Sequence, residues 1–443
     1  MQELPKIPAD HWFFRNSLQV LKDPLSFFRK TFQEHGDFYN INSIIYSIFI
    51  LSKPEYIQEL LTTKHKSFCK SDDYKVLKYS LGNGLLISEG DFWKKQRSIA
   101  QPAFHRENLQ KLVDTMVEDT NKMLNRWESI PKVDVNGEMM FLTLEIVNNA
   151  LFGTQIPADY EKIKDAITIG NEFLSKKILT PFSLPVWFPT PASRRYFKAR
   201  NFNNAVIDKI IEKRRATPHA HQDLLSMLMS AEDAETGEKM SNQQLRDEAI
   251  TLFVAGHETT ANALSWIFYL LAKHPEKQAL LRQELQSVLA GKTPDFENLR
   301  LLQYTEQVVE EGMRLYPPAW TIGRKALEET TIGDFRVPKN TTIFIDVFNT
   351  HRHPDYWENA DDFLPERFSP EARKNRHKLA YLPFGAGQRM CIGNNFAMME
   401  MKIVVALTLQ RYQIQLVENT EVVPDPLITL RPKTEIFLTL EQV

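Results

Sequence analysis

The sequence predicts a mainly α protein with small β-sheets early and late, an α+β chain folded as a single domain over residues 1–443. Three observations carry that reading. Helical periodicity runs through most of residues 54–317 and returns over residues 394–412. Runs rich in β-branched and aromatic residues fall at about residues 37–52, 331–347 and 428–440. No internal repeat or long linker forces a domain boundary.

Composition agrees. Of 443 residues, 43% are hydrophobic and 25% charged, a globular balance in a chain long enough to bury a large core. Lys+Arg total 54 against 56 Asp+Glu, so no basic surplus points to nucleic acid. Two cysteines, Cys69 and Cys391, cannot build a disulfide framework. The first eight residues, Met1 to Pro8, are too polar for a targeting peptide. No apolar run reaches the roughly 18 residues that a membrane span needs. Residues 41–51, the most apolar window, are broken by Asn42, Ser43 and Ser47.

Taken in order, residues 37–42 and 47–51 read as short strands, and Pro54 opens a helix through Ile57, Leu60 and Leu61. The longest helix runs over residues 241–274, roughly 50 Å at 1.5 Å per residue. Ser241 and Gln244 form a capping-box pattern at its start and Pro275 ends it. Leu245, Phe253, Leu264, Ile267, Leu270 and Leu271 surround nearly the whole cylinder, so this helix is expected to be central and buried. Residues 331–337 and 341–347 read as strands flanking the turn Pro338-Lys339-Asn340, and residues 428–440 as paired strands around Pro432-Lys433.

The long helix carries a local conflict. Gly256, His257, Glu258, Thr259 and Thr260 interrupt its apolar surface. A glycine there costs about 1 kcal/mol relative to alanine, and a buried carboxylate costs more unless paired. Function is expected where the local pattern contradicts the global one. A second feature is the glycine-rich loop Phe384-Gly385-Ala386-Gly387-Gln388-Arg389-Met390-Cys391-Ile392-Gly393, which leads into a helix from Asn394. Glycines let backbone approach a flat ligand and turn around a sulfur. Loop amides and a helix N-terminus are expected to lower the Cys391 pKa, giving a thiolate suited to iron. No motif surrounds Cys69, which reads as an ordinary buried free cysteine.

The pattern Phe384-x-x-Gly387-x-Arg389-x-Cys391-x-Gly393 resembles the haem-binding loop of the cytochrome P-450 family, the haem-thiolate monooxygenases. Further motifs follow in family order. Trp93-x-x-x-Arg97 resembles the helix that touches a haem propionate, and Ala255-Gly256-His257-Glu258-Thr259-Thr260 the oxygen-activating helix motif. Glu311-x-x-Arg314 with Arg367 resembles the structural ion-pair cluster. The Glu311-x-x-Arg314 and Trp93-x-x-x-Arg97 pairs are weak alone, being ordinary helix-surface spacings, and the long-helix motif is of moderate strength; their order and spacing together are specific.

The resemblance implies a P-450 fold around a buried haem b, with Cys391 as the axial iron ligand. Gly387 and Gly393 would allow close approach to the porphyrin, and Phe384 would pack beside the sulfur. Arg389, Trp93, Arg97 and Arg324 become propionate partners. Thr259 and Glu258 become the catalytic pair for proton delivery, Thr259 bonding back to a carbonyl near Ala255 and Gly256 clearing a groove for O2. Leu86, Ala255, Thr259, Ala319, Trp320 and Ile428 are expected pocket walls, with the apolar segment 177–193 as a lid.

The chain shows neither a Rossmann fingerprint nor cysteines for an iron–sulfur cluster, so electrons must come from a separate protein or be bypassed with peroxide. The implied partners are a ferredoxin or flavodoxin with its reductase, drawing indirectly on NAD(P)H. Lys94, Lys95, Arg106, Arg376, His377 and Lys378 are the candidate basic docking face. The expected reaction is hydroxylation or epoxidation of an apolar fatty acid, terpenoid or steroid with O2. A peroxide-dependent enzyme or isomerase of the same fold, or a non-catalytic haem sensor or carrier, are the alternatives. Similarity to soluble bacterial members implies a soluble, cytoplasmic protein.

Overall fold

The computed structural model describes residues 3–7, 20, 22–42, 47–153, 160–180, 184–216, 223–232, 237–417 and 422–443. At its centre lies the helix Asn242–Lys273, 32 residues long and so about 48 Å. The Ser241 hydroxyl accepts from the Gln244 N–H at 3.3 Å, while Gln244 Oε1 accepts from the Ser241 N–H at 2.7 Å. That reciprocal pair satisfies two donors that a helix start otherwise strands. Pro275 both stops this helix and begins the next, Pro275–Val288.

Helices Val113–Trp127, Val135–Phe152, Gln303–Leu315 and Asn394–Arg411 share one apolar core with the central helix. Gly312 sets one of these packings: a Cβ there would lie 2.4 Å from Ile267 Cγ1 of the central helix. Helix Val135–Phe152 lies against the central helix as well, and Thr143 Oγ1 donates to the His257 carbonyl at 3.0 Å. The site helix is thereby held along its length before any ligand is considered.

The main sheet has six strands in the order Lys6–Ile7, Phe38–Asn42, Ser47–Leu51, Thr342–Asp346, Thr321–Ala326 and Phe68–Lys70. The first sequence-read pair is an antiparallel hairpin with Phe38 opposite Leu51. The later strand readings need correction. Residues 331–337 are not one strand but a small hairpin, Thr330–Ile332 with Phe335–Val337, turning at Gly333. Strand Thr342–Asp346 does not pair with it; it lies parallel to Ser47–Leu51 and antiparallel to Thr321–Ala326.

The C-terminal stretch also divides. Leu430–Pro432 pairs with Pro424–Pro426, whereas Phe437–Gln442 pairs with Tyr412–Leu416 and Lys132–Asp134. Phe68–Lys70 and Lys132–Asp134 are strands inside the stretch read as helical. After the short helix Pro54–Gln58 the chain widens into a π-helical turn, Glu59–Thr63. Among the described residues, no helix is long and apolar enough to cross a membrane.

Candidate active site

The cysteine loop, the central helix, the Trp93 helix (Gly90–Ala100) and the strand Thr321–Ala326 enclose a cavity of about 780 Å³. Its walls are mostly apolar, among them Leu85, Val147, Leu151, Ile322 and Phe344. The loop is closed by the Cys391 N–H donating to the Phe384 carbonyl at 2.9 Å, and Gly393 caps the helix Asn394–Arg411. Cys391 is solvent-accessible yet deeply enclosed, the combination a side chain gives when it faces an internal cavity.

The thiol does not carry the lowered pKa expected of it. Burial pushes it up, against the opposing pull of the Gly393 N–H and the Arg97 guanidinium. A metal cation bound at the sulfur would act in the opposite direction and favour the thiolate. Phe384, Gly385 and Gly393 line the cavity beside it. Gly387 does not. It sits at φ +67°, and a Cβ there would lie 2.2 Å from the Leu61 carbonyl oxygen of the π-helical turn, so this glycine seats the loop on the fold. Gly385, at φ +69°, is the wall glycine that the motif reading passed over.

Four cations line the same cavity: Lys70, Arg97, Arg324 and Arg389. Arg389 stacks on Trp93 at 3.7 Å, donates to the Ser88 carbonyl at 2.9 Å and forms an ion pair with Glu89. Arg97 donates to Gln101 Oε1 and to the Met390 carbonyl, and Arg324 to the Gly323 carbonyl. Neither has a carboxylate within 4 Å among the described residues, Arg324 meeting Asp73 of the same wall only at longer range. Lys70, which no motif singled out, donates to the Ser88 and Leu85 carbonyls. Burial, then Arg389, pushes its pKa down to about 7.

A cation cluster this poorly compensated beside apolar walls is costly unless an anion joins it. With a sulfur donor on the same cavity, the residues fit a haem: thiolate for iron, cations for the two propionates.

On the central helix, Thr259 Oγ1 donates to the Ala255 carbonyl at 2.8 Å, the back bond expected, and Thr260 does the same to Gly256 at 3.0 Å. Ala255, Gly256 and Thr259 line the cavity, with the missing Cβ of Gly256 directed at Val147, 3.2 Å away. His257 is a core residue: it is buried, its Nδ1 donates to the Phe253 carbonyl at 2.8 Å, and burial lowers its pKa.

Glu258 is turned inward. It is 7% exposed; Oε1 accepts from Thr429 Oγ1 and Oε2 from Asn171 Nδ2, both at 2.6 Å. Leu86, Ala319, Trp320 and Ile428 all reach the cavity, Trp320 fixed by its Nε1 donating to the Leu427 carbonyl at 2.9 Å.

The lid reading is corrected in part. Pro181 and Phe182 lie outside the described residues. Leu184, Trp187 and Phe188 face outward, Trp187 being 65% exposed, while Ile178 inside the segment and Ser175 just before it, both on the helix Tyr160–Leu179, line the cavity. Much of the basic docking face is already engaged. Lys94 pairs with Asp91, Lys95 with Glu238 and Arg106 with Glu297, while Arg376 stacks on Trp357 and Phe368.

The structural cluster is present but uneven. Glu311 and Arg314 are fully buried and doubly bonded; Arg367 stands 3.5 Å from Glu311 and donates instead to the Asn359 carbonyl.

Fold and site thus define a protein built to hold an anionic, metal-centred planar group between a cysteine loop and a notched helix. The family model described as Cytochrome P450 matches residues 5–439, and the chain belongs to that family. It is 32% identical over 417 residues to cyclooctatin synthase of Streptomyces melanosporofaciens, covering 94% of this chain and 91% of the relative. Cyclooctat-9-en-7-ol 5-monooxygenase of the same organism is 32% identical over 406 residues, covering 91% and 88%. Cytochrome P450 4F8 of Homo sapiens is 32% identical over 428 residues, covering 89% and 81%. The chain is accordingly a P450 oxidoreductase of a haem-binding, monooxygenase family.

Proposed function

We propose that this enzyme inserts one oxygen atom of O2 into a C–H or C=C bond of an apolar small molecule. Its electrons come from NAD(P)H through a separate ferredoxin or flavodoxin and its reductase. The observation that carries the reading is that Cys391 and Thr259 border one largely apolar cavity. One relative is named a 5-monooxygenase of cyclooctat-9-en-7-ol, an unsaturated alcohol. A mostly apolar molecule of that kind suits these walls better than a strongly polar one.

Cys391 would hold the iron of haem b, and Arg97, Arg324, Arg389 and Lys70 its propionates, with Trp93 stacking on Arg389. Haem bound through a cysteine thiolate supplies the O2 activation, because the thiolate favours O–O cleavage. The chain's own residues manage protons and water. Thr259 presents a hydroxyl at the cavity wall while its back bond to Ala255 opens the helix locally. Glu258 reaches the same cavity through Thr429, whose hydroxyl both touches the carboxylate and lines the wall. Phe384 and the apolar walls restrict water.

Cys391→Ser is expected to lose the strongly red-shifted absorption of the reduced, CO-bound thiolate species; retention of that band refutes the axial assignment. Product formation coupled to NAD(P)H consumption with added redox proteins tests the reaction. Consumption without oxidised organic product favours a carrier, and turnover with peroxide alone favours the peroxide-dependent reading.

A further inference from the structure

Beside the main cavity lies a second one of about 140 Å³, between the helices Asp73–Leu81, Tyr160–Leu179, Pro191–Ala216 and the central helix. The two share the wall residues Leu77, Leu86, Ala255, Thr259, Ile428 and Thr429, so they adjoin along the Thr259 face of the central helix.

Most polar groups of this smaller cavity are already committed. The Ser80 and Tyr196 hydroxyls bond each other at 2.8 Å. Asn171 Nδ2 donates to Glu258, and the Thr429 hydroxyl donates to Glu258 while accepting from Asn262 at 3.1 Å.

Three polar side chains remain, Arg200, Asn203 and Asn204, and the first two bear on a ligand. Asn203 Oδ1 is a buried acceptor with no partner. Arg200, half-buried one turn earlier on the same helix face, stacks on Phe197 at 4.8 Å, donates to Asn201 Oδ1 and the Tyr79 carbonyl, and has no carboxylate partner among the described residues. A buried acceptor left empty costs free energy, so it signals a missing donor. A guanidinium on the same wall asks for an acceptor. A hydroxyl group is both. A carboxylate offers Asn203 Oδ1 no donor, an ammonium is repelled by Arg200, and a hydrocarbon leaves both unpaired.

We propose that the smaller cavity anchors a hydroxyl group on an otherwise apolar substrate, the hydroxyl donating to Asn203 Oδ1 and accepting from Arg200. The apolar body then reaches across the shared walls to Thr259. Which end of the substrate reacts rests on the monooxygenase reading above; the anchoring itself does not.

The test is equilibrium dialysis of the haem-loaded protein with cyclododecane, cyclododecanol and cyclododecanecarboxylate. The alcohol is expected to bind about tenfold more tightly than the hydrocarbon. Asn203→Leu and, separately, Arg200→Gln are expected to erase that preference while leaving hydrocarbon affinity within about twofold. Equal binding of alcohol and hydrocarbon, tightest binding of the carboxylate, or a preference that survives both substitutions overturns the proposal. Because the readout is binding, an alcohol preference without oxidised product supports the anchor and removes the monooxygenase reading alone.

Discussion

Arg314→Met is expected to be among the most damaging single substitutions remote from the cavity. Arg314 is fully buried, and all five of its N–H donors are used. Nε and Nη2 donate to the Glu311 carboxylate at 2.6 and 2.9 Å. Nη1 donates to the His351 and Ala360 carbonyls at 2.9 and 2.7 Å, and Nη2 to the Asp362 carbonyl at 3.1 Å. Methionine leaves Glu311 charged and buried, with the Leu364 N–H at 2.9 Å and a poorly aligned Arg367 at 3.5 Å.

Breaking a buried pair from one side costs about 3–5 kcal/mol, against an ordinary total stability of about 5–15 kcal/mol. The three orphaned carbonyls make that a lower bound. Lysine is no substitute, since its ammonium brings three donors to a five-acceptor site. Urea midpoints of the haem-loaded protein, followed by far-UV circular dichroism and haem absorbance, give the loss. The double variant Glu311→Leu/Arg314→Met is expected to be milder than Arg314→Met alone, because no charge is left unpaired. A loss below about 1 kcal/mol, the scale of a surface pair, or a double variant as unstable as the single, refutes the reasoning.

Other expectations follow from the same geometry. Thr259→Ala removes only the back bond to Ala255 and should keep fold and haem while diverting reducing equivalents to peroxide; undiminished coupling of NAD(P)H to product counts against its proton role. Gly387→Ala places a Cβ 2.2 Å from the Leu61 carbonyl at a φ of +67°, so a loss of about 1–3 kcal/mol and weaker haem retention are expected in thermal melts. His351 is buried beside Arg314, and burial first, then that charge, pushes its pKa down to about 3. Its Nδ1 donates to the Arg314 carbonyl and its Nε2 accepts from the Leu382 N–H, so the native state needs it neutral. Because the folded value lies below an unfolded one near 6.5, the unfolded chain binds the extra proton. Stability is full above pH ~6.5 and falls progressively toward pH ~3. His351→Gln should flatten that limb of the pH–stability curve, and an unchanged acid limb removes His351 as its cause.

What was legible in the sequence was local or chemically forced. The capping box at Ser241 and the back bond of Thr259 depend on residues within a few positions of one another, and both appear as read. Strand pairing was not legible. Thr342–Asp346 sits beside a turn, and turn chemistry proposes a neighbour as its mate; its mates are Ser47–Leu51 and Thr321–Ala326, chosen by which faces the core buries. Lys70 escaped notice because its chemistry comes from where its strand lies, against Arg389, rather than from its sequence neighbours. Gly387 carried the right signal for the wrong neighbour. Its positive φ and lost side chain serve a backbone carbonyl of the π-helical turn rather than a ligand.

Glu258 shows what that limit does to a mechanism. Helical geometry places it beside Thr259, but its partners arrive from residues 171 and 429, and they change its task. An acid held by Asn171 and Thr429 cannot sample solvent freely. The Thr429 proton points at the carboxylate, and Asn262 Nδ2 occupies an acceptor site on the same oxygen. For a proton to leave Glu258 toward the main cavity, the Thr429 hydroxyl must turn its own hydrogen outward and accept at Glu258 instead. In the proposed relay, proton delivery would then depend on a rotating hydroxyl in the C-terminal turn, beside Ile428, whose N–H is itself tied to Ser175 of the helix Tyr160–Leu179 at 3.2 Å. The helix that contributes Ser175 and Ile178 to the cavity wall is the one that also supplies Asn171, so whatever displaces it on substrate entry acts on the acid and on the turn together.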